Sequence, residues 1–326
     1  MTVWWGLKRD HLQWAVKKCP KCGSNHTKKS GKQKGIQRYY CLECKSSFSS
    51  KRRPKQLQKI IFQEYFYHRQ TLQELALKYH RSRQWIQKLI HTYEPPLNLS
   101  KPRAVSLVLD ATFFGKREDK FGLLVAKDVA TKEIVAYHFI QSETLLEYQI
   151  LKSSINSKGF TIKAITIDGR RGLFRLFESF PIQMCHFHEQ AIITRYLTKK
   201  PKLKASIDLK RIASSLSKTT HKRFELLLDC FYKRHEEFIN EKTYNPDTNK
   251  SHFTHKRLRS AYRSLRTNLP YLFTYKNYPH LNIPNTTNHL DGGLFAPMKM
   301  LLKIHRGIGI NMKKKLIIDF LENVGK

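Results

Sequence analysis

Ala104-Val105-Ser106-Leu107-Val108-Leu109-Asp110 is a short, mostly apolar run that ends in an acid. Residues 121–127 form a second apolar run and residues 134–140 a third, so three successive strands in an antiparallel meander are expected. Residues 143–157 carry Leu145, Leu146, Ile150, Leu151 and Ile155 at helical spacing. A fourth strand over 162–167 ends at Asp168-Gly169, a helix follows over about 172–179, and a fifth strand covers 182–185. The order read from the sequence is therefore β-β-β-α-β-α-β.

That order is the one found in an RNase H-like core. The chemistry points the same way. Asp110 and Asp168 are expected at the C-terminal tips of neighbouring buried strands, where two carboxylates are costly unless a cation holds them. Hard oxygen ligands suit Mg2+ or Mn2+, and a pair of such ions could activate a water or a 3′-hydroxyl and stabilise the leaving oxygen. Taken singly, an Asp at a strand end is a turn residue as readily as a ligand; two in matching places favour the ligand. A third carboxylate would complete the site, and Glu189, Asp208 and Asp291 are the candidates. Thr286 or Thr287 can cap a helix whose first turns carry Asp291 inward, with Gly292 and Gly293 allowing close packing or a close approach of DNA.

Composition supplies the partner. The chain has 326 residues, room for two or three small domains, and its 40% hydrophobic content can fill real cores. It holds 61 Lys and Arg against 25 Asp and Glu, a net charge of +36. The net charge is +16 over residues 1–100, +3 over 101–190, +13 over 191–280 and +4 over 281–326. A nearly neutral middle flanked by strongly basic regions points to an anionic polymer, since neutralised phosphates release counterions. No apolar stretch of membrane-spanning length is found, and the N-terminus, with Trp4, Trp5 and Trp14 among charges, does not read as a signal peptide. A cytoplasmic, nucleoid-associated protein facing double-stranded DNA, with no membrane partner, is the expectation.

Cys19-x2-Cys22 and Cys41-x2-Cys44, with 18 residues between the pairs, match the spacing of a four-thiolate zinc site. Pro20 and Gly23 suit the turn of the first knuckle, and Phe48 is a candidate core residue. Four cysteines leave no open coordination position, so Zn2+ is expected to be structural. Disulfides fit poorly with a cytoplasmic chain. His26 is the competing ligand, and a free surface histidine is its plainer reading.

After the basic Lys51-Arg52-Arg53 comes a helix-turn-helix pattern. Leu57, Ile60, Ile61 and Tyr65 mark a first helix, and Thr71 with Glu74 gives the capping box of a second that carries Leu72, Leu75, Ala76 and Leu77. Ser82 caps a third, with Trp85, Ile86, Leu89 and Ile90 inward. Arg81, Arg83, Gln84, Gln87 and Lys88 are left facing outward, as a DNA recognition helix requires. A plain three-helix bundle is the blander alternative.

Several motifs together are specific. They are Leu109-Asp110-Ala111-Thr112-Phe113-Phe114, Thr166-Ile167-Asp168-Gly169, Met184-Cys185-His186-Phe187-His188, Thr286-Thr287-Asn288-His289-Leu290-Asp291 and His305-Arg306-Gly307. With the four cysteines and the helix-turn-helix, they make the chain resemble the Mutator-type (MULE-like) insertion-sequence transposases of bacteria and archaea, in the variant with an N-terminal zinc-binding domain. The resemblance covers essentially the whole chain. It implies a DDE-type transposase of the RNase H-like superfamily, with Asp110, Asp168 and Asp291 as the catalytic acids holding Mg2+ or Mn2+. It also implies terminal inverted repeats and target DNA as substrates, with a homo-oligomer acting on paired ends. Cys185 and His188 match the family's C-x2-H signature and are placed in the vicinity of the active site. The expected organisation is multi-domain α+β: a zinc ribbon over 1–50, a helix-turn-helix over 51–100, the RNase H-like core over 101–188 and 286–326, and a mostly helical insertion over 189–285.

One departure stands out. The family's usual third acid is glutamate, and here it is Asp291, shorter by one methylene, or about 1.5 Å. Either the helix sits closer or the site is impaired, so a sequence-specific DNA-binding protein without catalysis is the alternative reading, and an RNase H-like nuclease a third. His305-Arg306-Gly307 would contact phosphate or end the catalytic helix, with Gly307 as its cap.

Overall fold

A computed structural model of the chain describes residues 17–33, 36–49, 55–96, 101–247 and 249–323. The tryptophans at 4, 5 and 14 and the basic run at 51–53 lie outside them. The chain divides into two compact units, Met1–Tyr93 and Glu94–Lys326.

In the first unit, β1 (Thr27–Gln33), β2 (Ile36–Cys41) and β3 (Ser47–Ser49) form an antiparallel sheet in that order. Two tight turns flank it. The Cys19 carbonyl accepts the N–H of Gly23, whose φ of +75° is the left-handed turn glycine permits. The second turn closes with Cys41 N–H donating to Ser46 O at 3.0 Å. Phe48 is half-buried rather than in a core, and stacks on Tyr39. Among the described residues between 17 and 49, Cys19 and Cys41 are the buried ones, so apolar packing among them does not by itself hold this sheet together.

Helices α1 (Lys55–Phe66), α2 (Leu72–Lys78) and α3 (Arg83–Thr92) follow. Thr71 and Glu74 close a reciprocal capping box on α2, and Ser82 Oγ accepts the N–H of Trp85 to start α3. The core between them is built from Ile61, Phe62, Phe66, Leu75, Ala76, Ile86, Ile90 and Tyr93. Ile60, read at the apolar spacing of the first helix, is exposed, and so is Leu77; Phe62 and Phe66, unread in the sequence, take the inner face of α1.

The second unit is mixed α/β. Its sheet contains β4 (Ala104–Phe114), β5 (Phe121–Asp128), β6 (Ile134–Ile140), β7 (Thr161–Ile167) and β8 (Ile182–Met184), in the order β6-β5-β4-β7-β8. β4, β5 and β6 are antiparallel neighbours, whereas β7 and β8 run parallel to β4. Helix α4 (Leu145–Ser157) supplies the crossover to β7, and Thr144 caps it. Val105, Leu107 and Leu109 share one core with Tyr148, Leu151 and Ile155 of α4. Each such side chain contributes roughly 1.5–3 kcal/mol on burial. The expected helix over 172–179 is a single turn, α5 (Leu173–Leu176), and β4 continues four residues past Asp110.

After β8 come α6 (His186–Leu197), α7 (Lys204–Ser214), α8 (His221–Asn240), the hairpin β9 (Lys242–Asn245) and β10 (Lys250–Phe253), and α9 (Lys256–Leu272). These helices enclose a second core, running from Met184 through Leu209, Phe224 and Leu228 to Leu265 and Leu272. The chain then passes through α10 (Thr274–Asn277) and crosses the sheet face opposite α4. Ser106 Oγ donates to Leu281 O and Thr166 Oγ1 to Pro284 O, each at 2.8 Å, and His186 N–H donates to Asn285 O at 2.8 Å. A helical segment follows, made of α11 (Asn288–Leu290), a wide π turn (Asp291–Phe295) and α12 (Ala296–Ile304), and α13 (Ile310–Asn323) ends the described chain. Gly307 does not have the left-handed φ of a cap; His305 holds the cap position of α12. Among the described residues, no helix is long and apolar enough to cross a membrane.

Candidate functional site

Two groups of side chains converge, one in each unit. In the first, Cys19, Cys22, Cys41 and Cys44 bring their sulfurs within 4.8 Å of one another. Cys19 Sγ lies 3.5 Å from Cys44 Sγ, and Cys22 Sγ lies 3.6 Å from Cys41 Sγ. A tetrahedral zinc with Zn–S bonds of about 2.3 Å has edges of about 3.8 Å, so the separations fit a four-thiolate site. All four are free thiols. Burial works against the Cys19 thiolate, but N–H groups of Cys22 and Lys21 and the Ser46 hydroxyl outweigh it and bring its pKa down to about 6. Cys22 is pushed up to about 12: the N–H of Ser24 favours its thiolate, but burial and the three neighbouring sulfurs win. Four thiolates crowded together therefore need a cation, and the cluster can bind a metal such as zinc. His26 is not part of it and pairs with Glu43 at 2.9 Å.

The second group stands on the sheet. Parallel pairing of β4 with β7 ends at Val108 opposite Thr166. Asp110 and Asp168 are each two residues beyond that pair, Asp110 still within β4 and Asp168 one residue past the end of β7. Asp110 is not at a strand tip, as expected, but in mid-strand, because β4 continues in its pairing with β5. Past Val108 that edge of β4 no longer pairs with β7.

Asp110 is 8% exposed. Its Oδ1 accepts the N–H of Ala111 at 2.8 Å, while Oδ2 is buried with no hydrogen-bond partner. Desolvation, followed by the charge of Asp291, pushes its pKa up to about 7. Asp168 accepts the N–H of Arg170 at 3.2 Å and is raised by burial and then by Glu143. Glu143 precedes α4 and holds Arg170 at 2.9 Å and the Tyr148 hydroxyl at 2.7 Å. Its approach to Asp168 had no signature in the sequence beyond a place before a helix.

Asp110, His188 and Asp291 each offer a ligand atom, all within 4.8 Å of one another. Asp168 is not a member of that trio. His188 lies one turn into α6, whose N-cap is Cys185. Its pKa is pushed up to about 9, first by the Cys185 sulfur and then by Asp110 and Asp168, and its Nδ1 is buried without a hydrogen-bond partner. Asp291 opens the π turn, and Gly292 and Gly293 beside it have open space where side chains would be. Adjacent glycines weaken an α-helix by about 1 kcal/mol each, which favours a local widening of this kind.

The other acids considered lie elsewhere. Glu189 is fully buried between α6 and α9, where it accepts hydrogen bonds from Ser264 and Asn268. Asp208 pairs with His235 at 3.1 Å.

Of the side chains expected to face DNA, Arg83, Gln84, Gln87 and Lys88 are exposed on α3. Arg81 lies in the preceding turn, its guanidinium 5.5 Å from the centre of the half-buried Trp85 ring. In the helical region of the second unit, Lys200, Lys202, Lys256 and Arg257 line a cleft of about 450 Å3.

No protein-family model matches the chain, and no curated protein matches it.

Proposed function

We propose that the chain is a DDE-type DNA transposase of the Mutator kind, with a zinc ribbon and helix-turn-helix in front of an RNase H-like core. One observation carries the reading. Asp110 on β4 gathers with Asp291, which arrives on a helical segment 123 residues after Asp168, within 4.8 Å, and Asp168, just past the end of the parallel β7, adds its charge at Asp110. The strand order, with its three-stranded meander followed by two parallel strands, supports it.

The residues suit a divalent cation, since Asp110 Oδ2 and His188 Nδ1 are both buried with no partner in the protein. Asp110 and Asp291 would hold it, with Asp168 beside Asp110 as the third acid. When bound, Mg2+ or Mn2+ supplies Lewis-acid neutralisation of the charge that develops on the scissile phosphodiester. The protein's own share is placement. Arg83, Gln84, Gln87 and Lys88 would enter the major groove at the transposon end, and the lysines around the helical cleft would hold phosphates by charge. Bound DNA would present its phosphodiester to the acids in line with the attacking hydroxyl, as phosphoryl displacement requires.

The test is cleavage of the element's own end DNA by the full chain with Mg2+ or Mn2+. Asp110→Asn and Asp168→Asn should each abolish 3′-nicking while leaving end binding intact. Binding with no nicking by the natural chain would leave only a sequence-specific DNA-binding protein. Asp291→Glu should lower nicking by about 100-fold, the effect of a misplacement of about 1 Å, because the π turn already delivers the shorter acid. A gain with glutamate would show the natural site to be impaired.

A further inference from the structure

We infer that His188 is itself a metal ligand, and that Asp110, His188 and Asp291 form a two-carboxylate, one-imidazole site that prefers Mn2+ to Mg2+. The inference deepens the proposed reading and rests on it, in that the same pocket is taken to hold a cation.

Three independent features meet at this point. The ligand atoms of the three residues all lie within 4.8 Å of one another. In an octahedral shell with bonds of about 2.1 Å, neighbouring ligands stand about 3 Å apart and opposite ones about 4.2 Å, so small adjustments suffice to close around one ion. Next, Asp110 Oδ2 is buried in a side chain that is 8% exposed and has no protein partner. An unpaired buried carboxylate oxygen is costly, and a cation is the partner that removes the cost. Last, His188 Nδ1 is a second buried polar atom without a hydrogen-bond partner, and its imidazole belongs to the same cluster. Asp168 is outside the trio and faces Glu143 instead.

The donor set decides the ion. Mg2+ takes oxygen ligands in a strict octahedron and keeps several waters. Mn2+ lies higher in the affinity order for mixed nitrogen and oxygen sites. Replacing one carboxylate by an imidazole therefore shifts the preference toward Mn2+. The segment around His188 is anchored for this task. Cys185 N–H donates to Ile167 O at 2.8 Å and His186 N–H to Asn285 O at 2.8 Å, tying the start of α6 to the strand before Asp168 and to the segment before Asp291.

The test uses the purified full chain, zinc-loaded, with Mn2+ as the probe. Pulsed electron paramagnetic resonance of bound Mn2+ should show modulation from a directly coordinated nitrogen, and labelling histidine with 15N should change that modulation accordingly. Asp110→Asn should remove the bound Mn2+ signal. His188→Gln should remove the nitrogen modulation and weaken Mn2+ binding by about 10-fold or more, with a smaller change for Mg2+. If His188→Gln does not fold, the 15N-histidine experiment together with Asp110→Asn still decides. Mn2+ held by Asp110 without nitrogen modulation would overturn the inference and leave the carboxylate site standing. Mn2+ binding indifferent to Asp110→Asn would overturn both.

Discussion

The backbone N–H of Thr287 donates to Cys185 Sγ at 3.3 Å, with the Thr287 hydroxyl 3.5 Å from the same sulfur. Both residues are fully buried and stand 102 residues apart in sequence. The bond fixes the start of the helical segment that carries Asp291 against the N-terminus of the helix that carries His188. Thr287, expected as a capping residue through its side chain, makes no such cap; its hydroxyl is turned to the sulfur. Cys185 is thus a joint between two arms of the site.

Removing that joint should cost stability and loosen the proposed cation site. Cys185→Ala leaves the buried Thr287 N–H unpaired, a loss of about 1–3 kcal/mol. Cys185→Ser keeps an acceptor and should recover part of it. Urea unfolding of the two variants measures the difference, and Mn2+ titration should show weaker binding by Cys185→Ala in parallel.

Asp110 makes the stability of the metal-free core depend on pH. Its pKa is about 7 in the folded chain against an ordinary 3.8, so the folded state binds the proton more tightly than the unfolded state. The stabilisation is full below pH 3.8 and is lost as the pH rises through about 7. Asp110→Asn should abolish this part of the profile and make the metal-free protein more stable than the natural one at pH 8. Unfolding curves in chelator from pH 5 to pH 8 provide the check, and an unchanged slope in the variant would refute the assignment.

Chelation should unfold the N-terminal sheet and spare the rest. Among the described residues between 17 and 49 the buried side chains are Cys19 and Cys41, so metal ligation by the four cysteines is expected to stand in for apolar packing there. Exposure to a zinc chelator, or Cys44→Ser, is expected to release amide protection in β1–β3 while the mixed sheet keeps its own. Hydrogen exchange resolved by segment distinguishes this from general unfolding.

Cations on α3 should contribute to DNA affinity in proportion to the phosphates they meet. Arg83→Ala or Lys88→Ala should each reduce the slope of log K against log salt by about 1 if the side chain meets a phosphate. A side chain that reads a base instead should change sequence preference with little change in slope. Gln84 and Gln87, being uncharged, are expected to alter preference alone.

Much of the chain is legible from local patterns of residues. Alternating and continuous apolar runs mark β4 through β8, because the side-chain period of a strand is local. The capping box of Thr71 and Glu74, the Ser82 cap and the paired C-x2-C knuckles are likewise contacts within a few residues. The expected strand ends also mark Asp110 and Asp168 as acids to watch, while Asp291 stands beside Glu189 and Asp208 until the resemblance implies it. Where burial depends on which neighbour arrives, periodicity misleads: Ile60 faces solvent, and Phe62 and Phe66 are among the buried side chains of α1.

Tertiary structure alone decided the site. Periodicity says nothing of register between strands, so the positions of Asp110 and Asp168, each two residues beyond a shared pair, appear only once Val108 is paired with Thr166. Nor does a local pattern show that β4 runs on past Asp110, that Glu143 approaches Asp168, or that His188 rather than Asp168 completes the tightest trio around Asp110. These contacts join residues tens to well over a hundred positions apart. They are set by the packing of the 281–289 segment across the sheet and by the π turn that aims Asp291, and no short stretch of sequence encodes either.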